Sequence, residues 1–302
     1  MRSRPPLTAC SNAVVPVCLI AMLAVTAPLC RPALAAPGKG PIVMVPHRAI
    51  YDMVLGDTRS GSSVTEVQGR MVFEITGSAC EGYTQNMRFV TKMASAEGQP
   101  SMTDLRSTTF EDGGATTFRF NSSQLRDQKP GDQAVGDAQR TDRKAELTVD
   151  LSKPEKKKLS LGTNVYLPVQ HSIALVEAGR TGQSRLKADL YDGSEQGDKV
   201  YETTSTIGAE VPPGGNKKLP EVKSAEPLDG LSAWPVSISY YERGSDKQDA
   251  APAYELGFLF FENGVSRKLV IDYGDFSIKG DLKEITFLEP SPAGAKCTGA
   301  AK

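Results

Sequence analysis

Period-two alternation recurs in run after run of this chain, and it commits the chain to a sheet. Successive side chains of a strand point to opposite faces, so alternation of apolar and polar residues means one buried face. Met71, Phe73 and Ile75 alternate with Val72 and Glu74, and Met87, Phe89, Thr91 and Met93 with Arg88, Val90 and Lys92. Phe118 and Phe120 flank Arg119, and Leu147, Val149 and Leu151 alternate with Thr148 and Asp150. The same holds for Leu186, Ala188 and Leu190, and for Val236, Ile238 and Tyr240. Turn residues separate the runs at Gly61-Ser62-Ser63, Gly113-Gly114, Asp192-Gly193, Pro212-Pro213-Gly214-Gly215 and Asn263-Gly264. Asn263-Gly264 joins the apolar run Leu256–Phe261 to Val265–Tyr273, which predicts a two-residue type I′ hairpin with both central residues at positive φ. Gly274-Asp275 and Gly280-Asp281 then divide Phe276–Ile278 from Ile285–Leu288, so the last third reads as consecutive antiparallel strands. The expected class is mainly β.

One segment breaks the pattern. From Pro168 to Ala178 the apolar Val169, Ile173 and Val176 recur at spacings of four and three, Pro168 suits a first helical position and Gly179 a stop. A single amphipathic helix among strands is expected to pack over a hollow or an open end of the sheet. Gln124–Arg143 and Pro212–Pro227 are polar, carry Gly or Pro, and read as long surface loops.

The first 35 residues form a processing signal. Arg2 and Arg4 precede an apolar run from Ala13 to Leu29, whose 17 residues fall short of a membrane span, and Ala33-Leu34-Ala35 supplies the cleavage pattern. Cleavage between Ala35 and Ala36 leaves a single domain, 36–302, with no transmembrane segment. Cys30 lacks the small preceding residue that lipidation requires. The mature chain holds 32 basic and 36 acidic residues, a net charge of −4, so no field recruits nucleic acid. Cys80 and Cys297 remain as an even pair in an oxidising compartment and are expected to bridge, the alternative being two buried thiols.

Candidate chemistry is scarce, and no catalytic residue, metal or cofactor is expected. The two histidines, His47 and His171, are separated by 123 residues and lack companions at ligand spacing. His47 precedes the first strand, and His171 reads as a helix-flank residue and not a base. No nucleophile elbow, phosphate loop or dinucleotide fingerprint occurs. The 36 acids offer many carboxylate pairs, but abundance does not single out a glycosidase. Asp192–Asp198 places three acids in seven residues without a calcium-loop ligand set, and reads as a solvated hairpin tip. Lys153–Lys158, basic and without interleaved aromatics, reads as a solvated turn. Trp234, Tyr240 and Tyr241 could line a sugar or lipid groove, strand-core packing being the default.

Four segments carry a resemblance: HRAIYDMVL (47–55), GRMVFEITGSACEGYTQNMRFVT (69–91), TDLRSTTFEDG (103–113) and YDGSEQGDKVYETTSTIG (191–208). Together with the helix PVQHSIALVEAGRTG, they resemble the EipB family of alphaproteobacterial envelope proteins. The resemblance implies a broken antiparallel sheet forming a β-spiral or half-open barrel with one helix. It also implies a Cys80–Cys297 bridge, a periplasmic location and a role in envelope integrity without catalysis. A periplasmic tetratricopeptide-repeat partner is implied too, and the family's shape is similar to half-open carriers of lipoproteins or lipids. Two readings follow. The chain is a non-enzymatic binding or scaffold factor, or it carries a lipid or other hydrophobic ligand. A concavity lined by side chains such as Phe258, Phe260, Tyr240 and Trp234 would favour the carrier, and a filled interior the partner-binding factor.

Overall fold

The alternating runs become strands of one sheet. A computed structural model describes residues 40–215, 219–244 and 251–290. The expected processing signal, its expected Ala35/Ala36 cleavage point and Cys297 lie outside the described residues. The first antiparallel meander comprises β1 (His47–Thr58), β2 (Val64–Ser78), β3 (Gly82–Ser95), β4 (Ser101–Glu111), β5 (Thr117–Arg126) and β6 (Lys129–Gln139). It continues through β7 (Thr148–Lys153) and β8 (Lys157–Ser160). After β9 (Val165–Tyr166) and helix α1 (Pro168–Thr181) the chain returns through β10 (Arg185–Leu190), β11 (Tyr201–Ile207), β12 (Ala233–Glu242), β13 (Tyr254–Phe261), β14 (Ser266–Asp272) and β15 (Phe276–Phe287). β15 pairs with β1, giving the order β8-β7-β6-β5-β4-β3-β2-β1-β15-β14-β13-β12-β11-β10-β9, antiparallel throughout except for β9 with β10.

This order dictates the shape. Ser160 and Val165 belong to opposite edge strands, β8 and β9, yet are five residues apart in sequence. Laid flat, the sheet would hold its edges roughly 65–70 Å apart at ~4.8 Å per strand, whereas five extended residues reach at most about 18 Å. The sheet therefore rolls until its two ends overlap. They meet through side chains: Phe118, Phe120 and Val149 from one end pack with Val165, Leu167 and Tyr191 from the other. No ladder joins β8 to β9, so the roll stays open.

Four expectations are corrected. Gln124–Arg143 is not a surface loop but most of the β5–β6 hairpin, and the turn with two residues at positive φ sits there, at Asp127 and Gln128. Its strand character is hidden because β6 turns the small Ala134, Gly136 and Ala138 inward, where the ring of Phe120 takes the space. Asn263-Gly264 does form a tight turn, but the loop has three residues. Phe261 N–H donates to the Val265 carbonyl and Gly264 N–H to the Phe261 carbonyl, both at 2.9 Å, and Gly264 alone of the loop takes positive φ, at 89°. Gly280-Asp281 lies within the continuous β15, because a Cβ on Gly280 would stand 2.7 Å from the Met53 sulfur. Of the expected loop Pro212–Pro227, Glu226 and Pro227 open a 3-10 turn (Glu226–Gly230), and Val222 and Ala225 pack in the core beside Ala49, Phe261 and Ile285.

Helix α1 starts at Pro168 as predicted and ends at Thr181, capped by Gly182 at φ 74° and not by Gly179. Gly179 lies in the helix body because a Cβ there would meet the Trp234 indole at 2.6 Å. Its first turn has no side-chain cap of its own. Instead, buried Glu111 of β4 accepts Val169 N–H at 2.7 Å and Gln170 N–H at 2.8 Å. The Gln170 amide oxygen accepts Leu167 N–H and the buried Arg140 guanidinium, so strand and helix share one polar network.

Candidate binding cavity

The inward faces of opposite halves of the rolled sheet do not fill the space between them. Met71 and Phe73 of β2, Met87 and Phe89 of β3, and Leu105 of β4 face Ile238 of β12, Leu256, Phe258 and Phe260 of β13, and Leu269 and Ile271 of β14. Between them lies a cavity of 480 Å³. Helix α1 borders it with Val169, His171, Ser172 and Leu175, as expected of a helix over a hollow. A second, more polar chamber of 540 Å³ shares Phe73, Gln85, Met87, Asp192 and Tyr254 with the first, and adds Ser107, Thr109, Ser122 and Glu195. The volume of the first chamber falls within the ~300–1,000 Å³ of small-molecule sites, and its wall matches their pattern of apolar lining with few polar groups.

Those polar groups have distinct environments. His47, at the start of β1, sets Nδ1 2.7 Å from the Val45 carbonyl. A carbonyl only accepts, so Nδ1 carries the hydrogen and Nε2 is left as an acceptor, while burial pushes the imidazole pKa down. His171 is 3% exposed, stands edge-on to Tyr166 at 6.1 Å, and has no hydrogen-bond partner at Nε2 among the described residues. Burial lowers its pKa to about 4, so at neutral pH it is uncharged. Asp192 borders both chambers, accepts Ser194 N–H at 2.9 Å, and is pushed up by burial. Tyr240 and Tyr254 stack at 4.3 Å along one wall. Among the described residues that line the two chambers, none is lysine or arginine.

The arrangement can solvate an apolar body and hydrogen-bond a small polar group. Ser172 does not form a nucleophile–base pair with its neighbour His171, since its hydroxyl donates to the Pro168 carbonyl at 2.9 Å. Of the side chains expected to line a concavity, Phe258, Phe260 and Tyr240 do so. Trp234 does not: it packs on Gly179 and borders a separate small pocket with Arg180 and Ser184. The reading of His171 as a helix-flank residue is overturned, and it shares the cavity with His47 despite the intervening chain. The clue lay in its spacing of four from Leu175, which puts both on the inward face.

Asp192–Asp198 is a solvated tip only in part: Glu195, Gln196 and Asp198 are exposed, but Gly193 and Gly197 are buried. Gly193 and Gly197 press onto Phe120 and Leu151 at the overlap of the sheet ends, with room for no side chain. Its three acids diverge, Asp192 to the cavity, Glu195 to Lys199 at 2.7 Å and Asp198 toward Lys157 at 3.9 Å. Lys153–Lys158 is an exposed turn, as read. Cys80 stands in the turn between β2 and β3.

A family model described as EipB-like matches residues 39–289. The cell envelope integrity protein EipB of Brucella abortus (strain 2308) is 36% identical over 270 residues, which are 89% of this chain and 92% of that protein. The crystal structure of a beta-barrel-like protein of the domain of unknown function DUF1849, also from Brucella abortus, aligns with a TM-score of 0.73 at 36% identity. The alignment covers 82% of this chain and 99% of that one.

Proposed function

The chain belongs to the EipB-like family, and from that membership we propose that it maintains the cell envelope as a periplasmic, non-catalytic protein that holds a hydrophobic ligand inside its rolled sheet. The homology to a cell envelope integrity protein supports the role at the level of the cell. One observation carries the molecular reading: the 480 Å³ cavity, walled by methionine, leucine, isoleucine and phenylalanine side chains on both halves of the sheet. An interior built for stability alone is packed to near-crystalline density. Leaving this one unfilled forfeits dispersion contacts, which a bound apolar ligand restores.

The proposed Cys80–Cys297 bridge fits this reading as a fastener of the roll. Phe287 at the end of β15 pairs with His47, and His47 pairs with Ile75, so the C-terminal segment leaves the sheet on the side of the Cys80 turn. Crossing two strand spacings takes roughly 10 Å, while the nine residue steps from Leu288 to Cys297 can span about 30 Å.

Native mass spectrometry of the protein released from the periplasm tests the proposal. A lipid retained at one per chain is the expected result. A chain that emerges free of lipid but bound to another protein would favour the scaffold role, with a tetratricopeptide-repeat protein as the expected partner. A hydrolytic or transferase activity abolished by one substitution at the cavity would overturn the non-catalytic reading.

A further inference from the structure

The polar groups of the cavity restrict what the head of its ligand can be. An anionic head, carboxylate or phosphate, would need a cation, and none of the described residues lining either chamber supplies one. The carboxyl groups there offer no positive charge: Asp192 borders both chambers, and Asp132 and Glu195 the second. An anion brought beside Asp192 would lose its water without gaining a counter-charge. The buried Nε2 of His171, by contrast, has no hydrogen-bond partner among the described residues, so a polar group of a ligand would satisfy it. A hydroxyl both donates and accepts, so it satisfies that nitrogen in either tautomer. A protonated amine could pair with Asp192, but it has no lone pair to offer and surrenders more hydration than a hydroxyl does.

The body of the ligand follows from the walls. Met44, Met71 and Met87 border the cavity, and unbranched thioether side chains adapt to a flexible chain. A volume toward the lower end of small-molecule sites suits one chain and a small head.

We infer that the cavity selects a single-chain amphiphile with an uncharged, hydroxyl-bearing head, held at His171, and rejects the same chain with an anionic head. This rests on the reading of the cavity as a ligand site, and the experiment separates the two. The full mature protein, stripped of lipid, is loaded with the uncharged fluorescent probe N-phenyl-1-naphthylamine. Displacement is then measured with monomyristoylglycerol, with methyl myristate and with ionised myristate. Monomyristoylglycerol should bind at least about tenfold more tightly than either of the others, as one hydrogen bond to an otherwise unpaired buried group provides. His171→Leu should erase the preference over methyl myristate, each ligand's displacement being read against the variant's own probe affinity. Equal or tighter binding of myristate, or of the methyl ester, by the unmodified protein overturns the inference whether or not the variant folds. Failure of the probe to bind at all would remove the ligand-site reading itself, and this inference with it.

Discussion

Glu111 carries two roles that oppose each other. Its carboxyl group caps α1 through two N–H groups, yet burial raises its pKa from an ordinary 4.5 to about 7. Because the folded value lies above the unfolded one, the native chain holds a proton that the unfolded chain has released. Stability from this group is therefore full below pH 4.5 and is lost as pH rises toward 7. His171 acts in the other direction, since its folded value of about 4 lies below its ordinary 6.5, and its contribution is lost as pH falls through that window. The two slopes overlap, so the effect of Glu111 must be taken as a difference. Between pH 4.5 and 7 the unmodified protein should lose on the order of 2–3 kcal/mol more than Glu111→Gln, read from urea unfolding at each pH. Parallel pH profiles of the two proteins would show that Glu111 does not titrate in the folded state.

At the scale of elements, α1 and β12 meet at a glycine whose role differs from its usual one. Alanine is favoured over glycine inside a helix by about 1 kcal/mol. At position 179 the added methyl would lie 2.6 Å from the Trp234 ring, and that ring is 2% exposed and has little room to withdraw. Gly179→Ala should therefore destabilise the protein by about 1–3 kcal/mol despite its better helix propensity. A midpoint of urea unfolding that rises in the variant would show that the helix–strand contact is loose. The hairpin glycine is constrained in both respects: Gly264 takes positive φ, and a side chain there would strike the Met44 sulfur at 2.5 Å.

For the molecule as a whole, the overlap of the sheet ends is the weak place. No ladder spans it, and Phe120 provides its centre, parallel to Phe118 at 5.8 Å and edge-on to Tyr191 at 5.7 Å. Phe120→Ala should cost about 3–5 kcal/mol. Hydrogen exchange should speed up in β5–β8 and β9–β11 while β1–β3 keep their protection, because the ladders of the sheet centre do not depend on the overlap. A uniform rise in exchange would mean that the roll unfolds as one unit. The Cys80–Cys297 bridge would enclose 216 residues, for which chain entropy sets an upper figure of about 5 kcal/mol. Cys80→Ser should lower stability by a few kcal/mol with the strand order intact, and should expose one reactive thiol at Cys297. Two labelled thiols in the unmodified protein under non-reducing conditions would contradict the pairing.

Local physics was legible in the amino-acid order alone. Period-two burial in β7 and β12 and the start of α1 follow from which side chains one element can bury on its own. The β6 strand was hidden for the same reason, since its inward residues are small and become intelligible only beside Phe120. So was the true end of α1, where Gly179 stands for a contact with a strand more than fifty residues away and not for a stop. Tertiary structure alone decided the cavity. It exists because the short link from β8 to β9 forces opposite sheet edges together, and that closure brings His47, His171 and Asp192 to one space. No periodicity encodes such a meeting, because each of the three residues is placed by a different element and their shared surroundings arise from the sum of many strand twists and pairings.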